Sequence, residues 1–165
     1  MIALVRVDNR LIHGQILETW LPALRARRVL VADDEAARSP LSRSALTLAL
    51  PDDIPAEVVA VDAADWAAAA AAPVPVLVLF RDVEGLRRAI GRGLTPAIAP
   101  KVNVGNVHFG PGRRQITPSL FLKEEELLML RDLAAAGFRV EARAVPGDSP
   151  TDVEEMGRRF QQARG

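Results

Sequence analysis

Two periods alternate along the chain. Short continuous apolar runs at 2–7, 29–32, 58–61, 74–80 and 98–104 have the length and Val, Ile and Leu content of strands buried on both faces. The stretch 138–144 instead alternates Arg139, Glu141 and Arg143 against Val140, Ala142 and Ala144, and so predicts a strand with one polar face. Between these runs lie segments of helical period at 13–27, 34–49, 62–72, 82–91, 123–136 and 150–163. The first carries Ile16, Leu17, Trp20, Leu21 and Leu24 on one stripe, with Pro22 expected to kink it. The last opens on Ser149-Pro150-Thr151-Asp152, a capping residue followed by proline, and then presents Val153, Met156, Gly157 and Phe160 on one face. The alanine run 67–72 fits a helix interior.

This order predicts an α/β fold: an open, mostly parallel twisted sheet with helices on both faces. No repeat or domain-sized linker interrupts it, and 1–165 reads as a single domain. In such sheets ligands gather beyond the carboxyl ends of the strands, so functional residues are expected just after strands.

Composition narrows the choices. Lys and Arg together number 21, as do Asp and Glu, and this zero formal charge argues against a sequence-independent nucleic-acid binder. The absence of cysteine excludes disulfides, thiolate catalysis and zinc-thiolate sites. No apolar run reaches the ~18–20 residues of a membrane span, and the N-terminus has no signal-peptide pattern. A cytoplasmic protein is expected.

The densest polar cluster follows the first run: Arg6, Asp8, Asn9, Arg10, His13, Gly14 and Gln15. His13 directly precedes the amphipathic segment, where a helix start favours an anion. Gly14 leaves the backbone open to close approach, and Arg6 and Arg10 offer fork-shaped donors for phosphate oxygens. Two readings fit these residues: a phosphoryl site on histidine, or a helix-capping histidine beside arginines paired to Asp8. A second polar loop, Asn103 to Gly110, could line the same crevice, with His108 read as a structural loop histidine. The charge runs Glu124 to Glu126 and Arg25 to Arg28 suit helix ends and receive no catalytic role. Nucleotide motifs fail: Gly91-Arg92-Gly93 ends a helix instead of opening one, Pro111 stands where a P-loop needs lysine, and Asp33 lacks a glycine fingerprint. No cluster reads as a metal site, and no cofactor is expected.

The segment Arg6 to Gln15 resembles the active-site signature of the IIB subunits of the mannose/fructose/sorbose phosphotransferase systems. The resemblance continues through Val31 to Glu35, Leu50-Pro51, Val102 to Val107, Glu125-Glu126 and Gly137 to Val140, ending near Val145-Pro146. It implies a cytoplasmic phosphocarrier in which a IIA domain phosphorylates the histidine, which passes the group to a sugar bound by membrane subunits IIC and IID. By position His13 is then the phosphohistidine, attached through Nδ1. Arg6, Arg10 and loop N–H groups from Gly14 onward hold the phosphoryl oxygens. Asp8, Asn9, Gln15, Asn103 and Asn106 shape the loop or touch a partner. A homodimer is implied by the resemblance alone. Two alternatives stay open: a regulatory phosphocarrier with no transported sugar, and a hydrolase or nucleotide-binding module using His13 as base, although no G-x-S-x-G motif supports the latter.

Overall fold

The computed structural model describes residues 1–164. Its spine is β1 (Ile2–Asp8), whose side chains alternate between two buried environments. Val5 and Val7 point into one core and Leu4 into the other. On one side β1 pairs in parallel with β4 (Val76–Phe80), which pairs with β2 (Arg28–Ala32), which pairs with β3 (Ala56–Val59). On the other side β1 pairs in parallel with β5 (Lys101–Asn106), followed by β8 (Arg139–Ala142). A two-residue strand, β9 (Thr151–Asp152), closes this edge antiparallel to β8. The order is therefore β3-β2-β4-β1-β5-β8-β9.

The helices divide between the faces. A π-helical stretch at Ile16–Trp20 runs into α1 (Leu21–Leu24) and packs with α2 (Asp34–Arg38) and α3 (Pro40–Leu48) over Leu4, Val29, Val31, Leu77 and Leu79. The opposite face is covered by α4 (Trp66–Ala71), α5 (Val83–Gly91), α6 (Glu124–Ala135) and α7 (Val153–Gln162). Among the described residues no helix is long and apolar enough to cross a membrane.

Several local features depart from the hydrophobic pattern. The segment 34–49 is two helices because Pro40 forces Ser39 out of helical geometry (φ −104°, ψ 108°), and Ser39 then caps α3 through the Ser42 N–H. Pro22 offers no N–H, and the turn before it widens so that Leu21 N–H reaches the Ile16 carbonyl. The last helix starts at Val153, capped by Asp152 instead of Ser149, because Thr151 and Asp152 pair with β8. A small antiparallel hairpin, β6 (Arg114–Thr117) and β7 (Leu120–Leu122), has no counterpart among the predicted strands; Leu120 and Leu122 are buried on the main core.

Burial on β4 and exposure on α3 predict opposite responses to truncation. Leu79 on β4 is wholly buried, whereas Leu48 on α3 is 83% exposed. Leu79→Ala should cost about 2–5 kcal/mol and Leu48→Ala less than about 0.5 kcal/mol, both read from urea midpoints at unchanged slope.

Candidate functional site

The connections from β1 and β5 lead in opposite directions across the sheet, β1 toward β2 and β5 toward β8. Neighbouring strands whose connections diverge leave a crevice at their carboxyl ends. The His13 loop leaves β1 at this point, and the loop carrying His108 leaves β5 beside it. They are tied together, since Asn9 N–H donates to the Asn106 carbonyl at 3.0 Å. With the Asn9 side-chain amide set to satisfy its neighbours, its nitrogen donates to that carbonyl and its oxygen accepts from His108 N–H at 3.0 Å.

The loop itself is a tight turn closed by Leu11 N–H on the Asp8 carbonyl at 2.9 Å. Leu11 adopts a left-handed backbone (φ 59°), which a bulky side chain tolerates only when its surroundings enforce it. Here the enforcement is burial: Leu11 and Ile12 are both anchored in the core beneath α1. The His13 carbonyl then accepts from Leu17 N–H, and the residue stands at the head of a helical run beginning at Gly14. The first N–H groups of that run have no acceptor within it. Gly14 has open space where a side chain would stand.

Asp8 is the hub. Its carboxylate is completely buried and accepts from five donors. These are Arg6 Nη2 at 3.0 Å, Arg10 N–H and Nε at 3.1 Å each, Arg10 Nη2 at 3.2 Å and His13 Nε2 at 3.0 Å. Burial alone would raise the Asp8 carboxyl, but the hydrogen bonds from His13 and Arg10 and the charge of Arg6 outweigh it and hold the group well below the usual carboxylate range. An ionised Asp8 can only accept, so it fixes the proton of a neutral His13 ring on Nε2 and leaves the lone pair on Nδ1. Nδ1 has no hydrogen-bond partner among the described residues, and the side chain is 16% exposed.

The two arginines separate in role. Arg10 is 38% exposed, and its Nη1 has no partner among the described residues, so part of its fork faces outward beside His13. Arg6 lies inside the protein with no exposed surface. Its Nη groups bond Asp8, the Asn103 side chain, Gln15 Oε1 at 3.4 Å and the Arg143 and Ala144 carbonyls at 3.0 and 3.1 Å. The guanidinium also lies 4.9 Å from the Trp20 ring. The expectation that Arg6 grips an incoming phosphoryl group therefore does not fit its placement: its terminal nitrogens are already engaged beneath the loop.

The remaining expected residues divide in the same way. Gln15 Oε1 accepts from both arginines, at 3.4 Å from Arg6 and 3.2 Å from Arg10. Asn103 is buried under the site, whereas Asn106 meets Asn9 at the rim. His108 is exposed on the neighbouring loop. Asp33 caps α2 and takes a two-pronged pair from Arg81, so its position after β2 has a structural cause. The pattern gave no warning of Trp20, whose Nε1 donates to the Ala144 carbonyl at 3.0 Å, nor of the carbonyls after β8 that receive Arg6.

Fold and site together define an open α/β protein that holds one part-exposed histidine, oriented by a buried carboxylate, at the switch point of its sheet. The chain belongs to the sorbose subfamily of IIB components of the phosphotransferase system (PTS), whose family model matches residues 2–164. It is 30% identical to the PTS fructose-specific EIIB component of Bacillus subtilis, covering 94% of each chain. It is also 30% identical to the mannose-specific EIIAB component of Escherichia coli, where 94% of this chain matches 48% of that one. Among solved structures, the Escherichia coli PTS N-acetylgalactosamine-specific IIB component 1 superposes with a TM-score of 0.84 at 27% identity, covering 92% of this chain and 99% of that one.

The direction of the Asp8 shift sets an acid dependence. A carboxyl held below its unfolded value of about 3.9 adds stability above that pH and loses it as pH falls through the folded value. Asp8→Asn removes this linkage while leaving Arg6 buried without its counter-charge, at a cost of about 3–5 kcal/mol at neutral pH. In urea titrations the gap between the two proteins should therefore narrow as pH falls below about 4. A gap that stays constant to the most acid point would remove Asp8 from the ion pairs described.

Proposed function

We propose that this protein is a cytoplasmic phosphocarrier: His13 Nδ1 takes a phosphoryl group from a IIA domain and passes it to a sugar bound by membrane subunits IIC and IID. The observation that carries the reading is the 3.0 Å contact of His13 Nε2 with the buried Asp8 carboxylate, which in the neutral ring puts the proton on Nε2 and the lone pair on Nδ1, an atom with no hydrogen-bond partner among the described residues. Kinship with sugar-specific PTS components supports the substrate class, and the match to the B part of an EIIAB chain supports a IIA partner.

In the first step the Nδ1 lone pair attacks phosphorus in line; the new N–P bond forms as the donor's bond to phosphorus breaks, and the donor group leaves with that electron pair. No proton moves at Nδ1. The His13 ring acquires positive charge, which Asp8 neutralises through Nε2–H, much as a triad carboxylate steadies its imidazolium. The outward end of Arg10 and the helix-start N–H groups from Gly14 onward meet the phosphoryl oxygens. In the second step a sugar hydroxyl oxygen forms the P–O bond and gives its proton to a base beside the bound sugar in the membrane subunits or to water, while the N–P pair returns to Nδ1 and the His13 ring becomes neutral again. Arg6 acts from below by holding Asp8.

Incubation with a labelled phospho-IIA donor tests this directly. His13→Ala should abolish the acid-labile label and His108→Ala should leave it intact; the reverse pattern overturns the assignment. Arg10→Lys keeps the charge but loses the planar fork, and should slow transfer roughly ten- to a hundred-fold. Equal rates would take Arg10 out of the cradle.

A further inference from the structure

We infer that Gly105, on β5 and remote in sequence from His13, is a positioning residue for the histidine, acting through the buried Arg6 guanidinium and Asp8. The proposal rests on the phosphocarrier reading only for its consequence in transfer; its geometric content stands apart from it.

β1 and β5 pair in parallel, placing Arg6 beside Asn103 in the register. Both side chains stand on the same face of the sheet. Gly105 is the extra residue where the register shifts between Val7↔Val104 and Asp8↔Asn106, and a side chain there would point at Arg6. The Arg6 guanidinium lies across the Gly105 backbone: a methyl group there would overlap its central carbon and both terminal nitrogens. Gly105 has no left-handed backbone, so alanine would be tolerated conformationally. The need for glycine is therefore one of space.

Arg6 cannot yield that space without loss. Its head is clamped by Asp8, the Asn103 side chain and the Arg143 and Ala144 carbonyls, with the Trp20 ring alongside. Asp8 Oδ2 accepts from both Arg6 Nη2 and His13 Nε2, each at 3.0 Å. Moving the guanidinium thus moves the same oxygen that fixes the His13 proton. The β5 backbone is itself held in place here, since the Ser119 hydroxyl donates to the Gly105 carbonyl at 2.9 Å. Gly105 cannot simply slide away.

The experiment uses the full chain with Gly105→Ala, Arg6→Met and the double variant. Ring nitrogen-15 shifts of His13 report its tautomer, and labelling by phosphoramidate, a small-molecule phosphoryl donor, reports reactivity without a partner protein. Gly105→Ala should shift the ring from a single Nε2–H tautomer to a mixture and slow His13 labelling roughly ten- to a hundred-fold, the usual effect of losing an orienting contact. Arg6→Met should do the same. Because the methyl acts by displacing Arg6, the double variant should match Arg6→Met alone. Wild-type shifts and rate in Gly105→Ala, or effects that add in the double variant, overturn the inference. If Gly105→Ala fails to fold while Arg6→Met folds, recovery of folding in the double variant supports the proposed clash, and an unfolded double variant overturns it. A moved tautomer with no label on any protein would refute the phosphocarrier reading and leave the positioning role intact.

Discussion

The ion pair between Arg6 and Asp8 organises everything around the site. Two opposite charges with no solvent exposure are costly to bury, and only close geometry and further hydrogen bonds offset the cost. The protein meets that condition from several elements at once. β1 supplies both charges two residues apart on one face, and β5 supplies Asn103 and the gap at Gly105. The helix after the site supplies Trp20, and the chain leaving β8 supplies two carbonyls. Removing one of these supports leaves a buried charge short of partners, which is why the site behaves as one unit.

The same pair explains how a single histidine is made chemically definite. An imidazole alone distributes its proton between two nitrogens. Asp8, held ionised by its neighbours, accepts at Nε2 and so decides which nitrogen is free. The left-handed turn at Leu11 and the buried Leu11 and Ile12 side chains then fix where the ring stands. Local backbone strain in the loop is sustained by apolar packing beneath it, a common arrangement where geometry must be set before a ligand arrives.

Surface loops and the sheet divide the labour. Strands β1 and β5 are parallel neighbours whose connections leave in opposite directions, so the loops carrying His13 and His108 meet at one crevice. Arg10, half outside, completes the outward face, while Arg6 completes the inward one. Two residues of identical chemistry, four apart in sequence, thus serve opposite sides of one carboxylate.

By itself the sequence determined the parallel α/β layout and the position of the polar cluster, because both depend on local periodicity: apolar runs of strand length, and charged residues immediately after the first of them. It also placed His13 at the head of a helix, since the amphipathic stripe begins just beyond it. The break at Pro40 was equally present in the sequence as a proline rule, and the 34–49 stripe concealed it. The pairing of the arginines with Asp8 was already one of two readings of the local cluster, but only the tertiary structure decided that Arg6 lies under the loop and that Gly105 must lack a side chain. Those facts depend on which residue of β5 stands beside which residue of β1. That register joins positions about a hundred residues apart, and no local pattern encodes it. The hairpin of β6 and β7 and the short β9 belong to the same class, being made by pairing partners elsewhere in the fold and not by any period of their own.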